Sequence, residues 1–222
     1  MAIIDFVLTK LLPTQTRNNL KISKTIRDFY SCEKQFAIAR KKDPNSTPVP
    51  HFIKQNIIKE YSKRFNIKVF IETGTFLGIM INSLINEFNK LYSIELSEIL
   101  YKRAKNLFKL HPNVEILLGN SAEVLPILIR DINLPCIFWL DGHYSGGITA
   151  KASSETPIIR ELTTIFNHPV KNHVILIDDA RLFIGKRDYP TMEELKDLLD
   201  KFLSHYHFEV KDDVIIIFNE KE

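Results

Sequence analysis

Glycine, cysteine and long apolar segments are all scarce in this sequence. Only seven of its 222 residues are glycine, well below the usual share of about 7%, so glycine is expected mainly where the backbone needs unusual freedom. Two cysteines, Cys32 and Cys136, support neither a disulfide framework nor a zinc site. The sequence has no signal-peptide pattern and no apolar run near the roughly 18 residues of a membrane-spanning helix. These absences predict a soluble, cytoplasmic protein without a transmembrane segment.

Charge is distributed unevenly along the chain. Residues 1–71 carry 14 Lys and Arg against 5 Asp and Glu, whereas the remainder carries 16 against 22. Such a basic segment suits nucleic acid, an anionic membrane surface or a phosphorylated substrate, and it is equally typical of a solvated helical face. No alternation of aromatic and basic residues favours stacking on nucleic acid, which is therefore not an expected partner.

From Val69 onward, apolar β-rich runs alternate with amphipathic segments. This alternation is typical of βαβ units, which form a parallel sheet with helices on both faces. The predicted helices cover residues 76–89, 97–109, 121–131, 156–167 and 191–204. The predicted strands cover residues 69–71, 91–94, 114–118, 137–140, 174–177, 206–210 and 214–218.

The two ends of the chain depart from this alternation. Only three residues separate the last two strands, so they are expected to form an antiparallel hairpin that makes the seven-stranded sheet mixed. At the other end, the proline-rich segment 43–50 divides the sequence into an N-terminal helical appendage, residues 1–50, and a main domain, residues 51–222. The appendage is open to interpretation as a lid, a dimer arm or a membrane-surface helix. Its apolar helix over residues 3–12 favours a homodimer arm.

A glycine loop follows the first predicted strand. The strand ends in Glu72, and Thr73, Gly74, Thr75, Phe76, Leu77 and Gly78 lead into a helix. The loop lacks the G-x-G-x-x-G spacing of dinucleotide-binding proteins, which makes a pyrophosphate cradle less favoured than a ligand needing one close backbone approach.

Polar residues also follow the second and third strands. Glu95 ends the second strand, where an acid can bind both hydroxyls of a ribose, although a surface glutamate is the alternative. Asn120 and Ser121 follow the third strand, where they can meet an adenine edge, while Ser121 can instead cap the next helix.

Together these motifs resemble the class I S-adenosylmethionine-dependent methyltransferases over residues 51–219. The resemblance implies a Rossmann-like fold with strand order 3-2-1-4-5-7-6 and S-adenosyl-L-methionine as cofactor. It implies that the Glu72–Gly78 loop wraps the methionine part, that Glu95 holds the ribose, and that Asn120 and Ser121 lie by the adenine. The cofactor-binding residues expected on this basis are Glu72, Gly74, Thr75, Gly78, Glu95, Asn120, Ser121 and Asp141.

Acidic residues end the fourth and fifth strands. Asp141 is followed by His143 and Tyr144, and the fifth strand ends in Asp178 and Asp179. Because neighbouring strands lie about 4.8 Å apart, the three aspartates are expected to converge, which suits Mg²⁺ or Ca²⁺. In the alternative, Asp178 caps a turn and Asp179 pairs with Arg181. The pattern is similar to that of metal-dependent, macrocin-type sugar O-methyltransferases, and this resemblance implies magnesium at Asp141, Asp178 and Asp179.

Methyl transfer requires a positioned acceptor and a base for its proton. His143 is the candidate base because its ordinary pKa suits proton abstraction near neutrality, and Asp141 is the second candidate catalytic residue. Tyr144 and Arg181 are candidate acceptor-binding residues; Arg181 can instead neutralise the acids.

The sequence therefore predicts an S-adenosylmethionine-dependent O-methyltransferase. Its expected acceptor is a small polar molecule, namely a sugar, a nucleotide-linked sugar or a glycan end. No Asn/Asp-Pro-Pro-aromatic segment follows the fourth strand, which argues against methylation of planar amino groups. The alternatives are a catalytically inactive methyltransferase-like binding module and a nicotinamide-dependent oxidoreductase.

Overall fold

Seven strands form one mixed sheet in the computed structural model, which describes residues 14–142, 156–203 and 205–219. The strand order is β3-β2-β1-β4-β5-β7-β6. The first five strands pair in parallel, whereas β7 runs antiparallel to both β5 and β6. Both the predicted order and the closing hairpin are confirmed. The strands are β1 (Val69–Thr73), β2 (Lys90–Glu95), β3 (Val114–Leu118), β4 (Cys136–Leu140), β5 (Val174–Ile177), β6 (His207–Lys211) and β7 (Val214–Phe218).

Helices cover both faces of the sheet. Because β1, β4, β5 and β7 are buried along their whole length, they carry continuous apolar runs rather than an alternating pattern. Their side chains divide into two apolar clusters, one on each face. The helices are α1 (Thr14–Lys42), α2 (His51–Arg64), α3 (Ile79–Leu84), α4 (Glu98–Leu107), α5 (Ser121–Ile129), α6 (Ile158–Phe166) and α7 (Met192–Phe202).

Helix α3 is shorter than the sequence predicts. It covers Ile79–Leu84, whereas the apolar pattern predicts a helix over residues 76–89. Phe76 and Gly78 have positive φ angles of 48° and 73°, which the right-handed helix does not allow. The loop therefore continues to Gly78, and the extra length keeps its backbone at the edge of the sheet.

Helix α1 contacts the main domain at several points. Arg40 forms an ion pair with Asp212 in the closing hairpin. Glu33 accepts a hydrogen bond of 2.7 Å from the backbone N–H of His51, the first residue of α2. The boundary predicted at residue 50 and the homodimer arm stay predictions, and the apolar helix predicted over residues 3–12 lies outside the described residues. None of the helices in the described ranges combines the length and hydropathy of a membrane crossing.

A buried histidine pair joins β4, β5 and α5. The backbone N–H of Cys136 donates to Nδ1 of His173 at 3.0 Å, and Nε2 of His168 lies 2.9 Å from the carbonyl oxygen of Ile129. Because a carbonyl only accepts, His168 carries its proton on Nε2. Its Nδ1 therefore accepts from Nε2 of His173, 3.0 Å away. Both rings are thus fixed as neutral tautomers, and burial lowers the pKa of His173 to about 3.

This arrangement predicts a specific loss of stability in acid. The folded protein keeps His173 neutral down to about pH 3, whereas the unfolded chain protonates it below its ordinary pKa of about 6.5. Between these two pH values, unfolding is therefore coupled to the uptake of a proton, and acid favours the unfolded state. We expect the stability advantage of the wild type over His173→Gln to shrink by about 2 kcal/mol between pH 7 and pH 5. Urea unfolding of both proteins at the two pH values measures it, and an advantage independent of pH would contradict the assignment.

Candidate active site

The site lies at the carboxyl ends of the parallel strands. Its central feature is a cavity of about 390 Å³, a volume within the usual range for small-molecule sites. Residues from the loops after β1 to β5 line the cavity, together with residues from α1 and α2. In open α/β sheets this edge is where ligands bind.

The glycine loop after β1 passes directly against the end of β4. Gly74 has a φ of +88°, and a Cβ atom there would lie 2.5 Å from the backbone oxygen of Asp141. The N–H of Gly74 donates to the carbonyl oxygen of Ile94 at 2.9 Å, and that of Gly78 donates to Thr75 at 2.8 Å. Only glycine fits at position 74, because any side chain would overlap the backbone of the neighbouring strand.

Glu72 is a buried acid beneath this loop. It is 2% exposed and accepts a hydrogen bond of 2.5 Å from the hydroxyl of Ser93, which lies 2.6 Å from the hydroxyl of Thr75. Burial raises the pKa of Glu72 well above its ordinary value, and the charges of Asp141 and Glu95 act in the same direction. Both effects disfavour the charged form of this carboxyl.

Glu95 is held by backbone groups on both sides. Its two carboxylate oxygens accept from the N–H groups of Phe76, at 2.8 Å, and Ser97, at 2.7 Å. Burial raises the pKa of Glu95, and these N–H groups oppose the shift. Each oxygen can accept a further hydrogen bond, and Glu95 lines the cavity. A carboxylate fixed in this way can bind the two adjacent hydroxyls of a ribose.

Asn120 and Ser121 both line the cavity. Asn120, rather than Ser121, caps α5, because its side chain accepts from the N–H of Ala122 at 3.1 Å. A Cβ on Gly142 would lie 3.2 to 3.4 Å from oxygen atoms of Thr73, Glu161 and Ser121. Side chains from the end of β1, from the helix after β3 and from α6 thus approach the loop after β4 at one point.

Glu161 is a site residue that the sequence reasoning missed. It lies on α6 and is 1% exposed, and burial raises its pKa to about 7, although the hydroxyls of Ser121 and Thr73 oppose the shift. A signal was present: Glu161 falls among Ile158, Leu162 and Ile165 on the buried face of its helix. An acid on an apolar stripe is worth noting, because glutamate is rarely buried without a partner.

Lys54 and the aspartates after β5 form a buried ionic cluster at the far end of the cavity. Nζ of Lys54 lies 2.6 and 2.7 Å from the two oxygens of Asp178 and 3.5 Å from Oδ1 of Asp179. The guanidinium of Arg181 bonds the same oxygen of Asp179 at 2.8 Å and also bonds Asp213. Asp179 thus pairs with Arg181, as one of the two sequence interpretations had it.

The charges in this cluster favour a protonated lysine. Burial lowers the pKa of Lys54, but Asp178, Asp179 and Asp141 outweigh burial and raise it above its ordinary value. Burial and Asp141 raise the pKa of Asp178, and Lys54 opposes that rise. The ammonium group already occupies the position between the carboxylates, so the arrangement does not favour the magnesium ion that the sequence resemblance implies. Within the described ranges, no three His, Cys, Asp or Glu side chains are grouped to hold a metal ion.

His51 is a second residue of α2 at this end, and the sequence reasoning did not select it. Its Nδ1 lies 2.8 Å from Nε2 of Gln55. Since an amide nitrogen only donates, Nδ1 accepts and the neutral ring carries its proton on Nε2. Burial lowers the pKa of His51 to about 4 despite the nearby Asp141. The ring packs edge-on against Phe29 of α1, with centroids 5.8 Å apart.

The structure brings together most of the residues predicted from the sequence. The predicted acceptor-side residues His143 and Tyr144 lie outside the described residues. The roles assigned to all of the predicted site residues stay predictions. The predicted site residues that line the cavity are Glu72, Gly74, Thr75, Glu95, Asn120, Ser121, Asp141, Asp178, Asp179 and Arg181. Gly78 ends the loop as the N-cap of α3.

Solved structures of methyltransferases share this fold. The match to TomG, an O-methyltransferase of Streptomyces achromogenes solved in complex with SAM, covers 83% of this chain and 87% of that chain, with 16% identity and a TM-score of 0.52. The match to the N-methyltransferase NodS of Bradyrhizobium japonicum, solved with S-adenosyl-L-homocysteine, covers 80% and 90%, with 10% identity and a TM-score of 0.53. The match to the SAH-bound methyltransferase PaMTH1 of Podospora anserina covers 95% and 99%, with 14% identity and a TM-score of 0.51.

No protein-family model matches the sequence, and comparison with curated proteins gave no match. At such low identities the structural matches concern the fold. The chain has the fold of class I S-adenosylmethionine-dependent methyltransferases, which confirms the fold predicted from the sequence.

Proposed function

We propose that this protein is an S-adenosylmethionine-dependent methyltransferase that methylates an oxygen of a small polar acceptor. The observation that carries the proposal is the continuous cavity between the glycine loop, Glu95 and the Asp141 end of β4. The likeness in fold to enzymes of this class supports it.

The residues present fit the cofactor. Gly74 lines the cavity and carries no side chain, which suits a close approach by the methionine part. The fixed carboxylate of Glu95 suits the ribose hydroxyls, and Asn120 and Ser121 suit the adenine edge. When bound, S-adenosylmethionine supplies a methyl group on a positively charged sulfonium.

The chain's own residues have the remaining tasks. The methyl carbon forms a bond to the acceptor oxygen as its bond to sulfur breaks, and the hydroxyl proton must pass to a base. Positioning contributes most to such an in-line displacement. Asp141 lies between the glycine loop and the ionic cluster, where its charge favours a cationic donor. His143 remains the proposed base, and Tyr144 and Arg181 remain proposed acceptor contacts.

The residues around Lys54 in the cavity support the proposed acceptor class. Lys54, Asp178, Asp179 and Arg181 offer both donors and acceptors of hydrogen bonds to a polyhydroxylated molecule. Phe29 and Phe36 of α1 add an apolar wall on which the face of a sugar ring can pack. We therefore retain a sugar, a nucleotide-linked sugar or a glycan end as the proposed acceptor.

Calorimetric titration with S-adenosylhomocysteine tests the cofactor class, with NAD as the matched control ligand. We expect saturable binding of S-adenosylhomocysteine and none of NAD, because the loop after β1 lacks the spacing of a pyrophosphate cradle. Binding of NAD alone would favour the oxidoreductase alternative. No binding of either ligand would favour a binding module without methyl-transfer activity.

A further inference from the structure

We propose that the ammonium group of Lys54 takes the position of a divalent cation among the acidic residues, so that this protein orients its acceptor with a lysine instead of a metal. The inference deepens the proposed function and rests on it. It replaces the magnesium ion implied by the likeness to metal-dependent sugar O-methyltransferases, because the residues present do not fit that ion.

The first argument is distance. Both oxygens of Asp178 lie within 2.7 Å of Nζ of Lys54, and Asp179 lies 3.5 Å away. A magnesium ion binds carboxylate oxygens at about 2.0–2.1 Å, so an ion on either oxygen of Asp178 would lie in close contact with the ammonium group. The two cations would repel each other strongly in this buried setting. One cation must therefore exclude the other.

The second argument is burial. Lys54, Asp178 and Asp179 are only 7%, 7% and 8% exposed. Exposed ion pairs between lysine and a carboxylate are common and contribute little to stability. Three buried charged groups, by contrast, are costly to desolvate and are tolerated only when they are paired. The lysine is thus a fixed part of the site.

The third argument is the support of the lysine. Lys54 belongs to the buried stripe of α2, together with Ile57, Ile58 and Tyr61, which are at most 3% exposed. Tyr61 in turn donates to Glu209 of β6 at 2.7 Å. The helix is therefore anchored to the sheet, and the backbone of Lys54 has little freedom to withdraw its side chain in favour of an ion.

The ammonium group also faces the place where an acceptor would bind. Lys54 lines the cavity alongside His51, Asp141 and Asp178. Its Nζ lies 2.6 and 2.7 Å from the two oxygens of Asp178, and an ammonium has three N–H groups. A hydroxyl oxygen of the acceptor can accept a hydrogen bond from this ammonium group. In a metal-dependent enzyme the same oxygen would bind the metal ion. Lys54 is accordingly assigned as a positioning residue for the acceptor.

Binding of Mn²⁺, followed by electron paramagnetic resonance of the free ion, tests the assignment on the full chain. We expect no saturable binding by the wild type. The variant Lys54→Met keeps the length of the side chain and removes its charge. We expect it to bind Mn²⁺ saturably, at least about tenfold more tightly than the wild type. The matched control is the double variant Lys54→Met/Asp178→Asn, which should lose the gained affinity.

Saturable binding of Mn²⁺ by the wild type would overturn the proposal, and so would Lys54→Met that folds yet gains no affinity. The wild-type result decides the question even where the variant fails to fold. S-adenosylhomocysteine binding is measured on the same wild-type sample, with magnesium and after chelation, and we expect equal affinity in both. If no S-adenosylhomocysteine binds, the proposed function fails, whereas the Mn²⁺ result still decides whether the lysine excludes a metal.

Discussion

Replacing Gly74 with alanine should abolish detectable S-adenosylhomocysteine binding and lower the free energy of unfolding by roughly 2–5 kcal/mol. Two causes add. An alanine with a φ of +88° is strained, and its Cβ would lie 2.5 Å from the backbone oxygen of Asp141. That oxygen lies directly after β4, so the overlap can be relieved only if the loop after β1 moves or β1 and β4 separate at this end. Calorimetric titration and urea unfolding measure the two effects.

Gly185→Ala is the matched control for this prediction. Gly185 also has a positive φ, +72°, but within the described part of the chain its Cβ would meet the methyl group of Thr191, at 3.0 Å, and no backbone atom. It does not line the cavity. We expect a loss of roughly 1–2 kcal/mol in stability with unchanged ligand affinity. Equal effects of the two substitutions on ligand binding would show that Gly74 has no special place in the site.

Replacing Glu95 with alanine should weaken S-adenosylhomocysteine binding by about 10- to 100-fold. The substitution removes a charged acceptor of the proposed ribose hydrogen bonds, and hydrogen bonds to charged groups contribute about 1.5–3 kcal/mol. It also frees the N–H groups of Phe76 and Ser97, which hold the loop after β1 to the end of β2. Calorimetric titration measures the affinity.

The control is Glu98→Ala on the neighbouring helix. Glu98 is 65% exposed and, among the residues that the structure describes, pairs with Lys102 on the same helix, so its loss should leave ligand affinity unchanged. Comparable weakening in both variants would mean that general surface charge, rather than the fixed carboxylate of Glu95, accounts for binding.

The alternation of short apolar runs and amphipathic helices predicted a parallel sheet with a closing hairpin, whereas the order of the strands came from the resemblance to class I methyltransferases. The loop positions of Glu72, Gly74, Glu95 and Asp141 were predictable because each residue lies within a few positions of the end of an apolar run. The start of α3 was not predictable from the apolar pattern, because positive φ angles at Phe76 and Gly78 delay the helix.

The residues missed by sequence reasoning come from helices rather than from strand ends. Lys54 and Glu161 occupy positions on apolar stripes, where periodicity assigns them to the core but does not name their partners. The pairing of Lys54 with Asp178 spans 124 residues along the chain, and no local pattern encodes such a contact. The metal prediction assumed that Asp141, Asp178 and Asp179 converge. It did not include Lys54, because the sequence gives no sign that this residue lies beside them.

The walls of the cavity come from two separate stretches of chain, and this division bears on how such a protein can diverge during evolution. The proposed cofactor contacts all lie at the ends of strands or in the segments just after them, whereas Phe29, Glu33, Phe36 and His51 precede the first strand. Substitutions in this leading stretch can reshape the pocket without replacing any residue of the loop at Gly74. If the proposed function holds, new acceptor preferences can therefore arise in descendants of this protein while the proposed donor is retained.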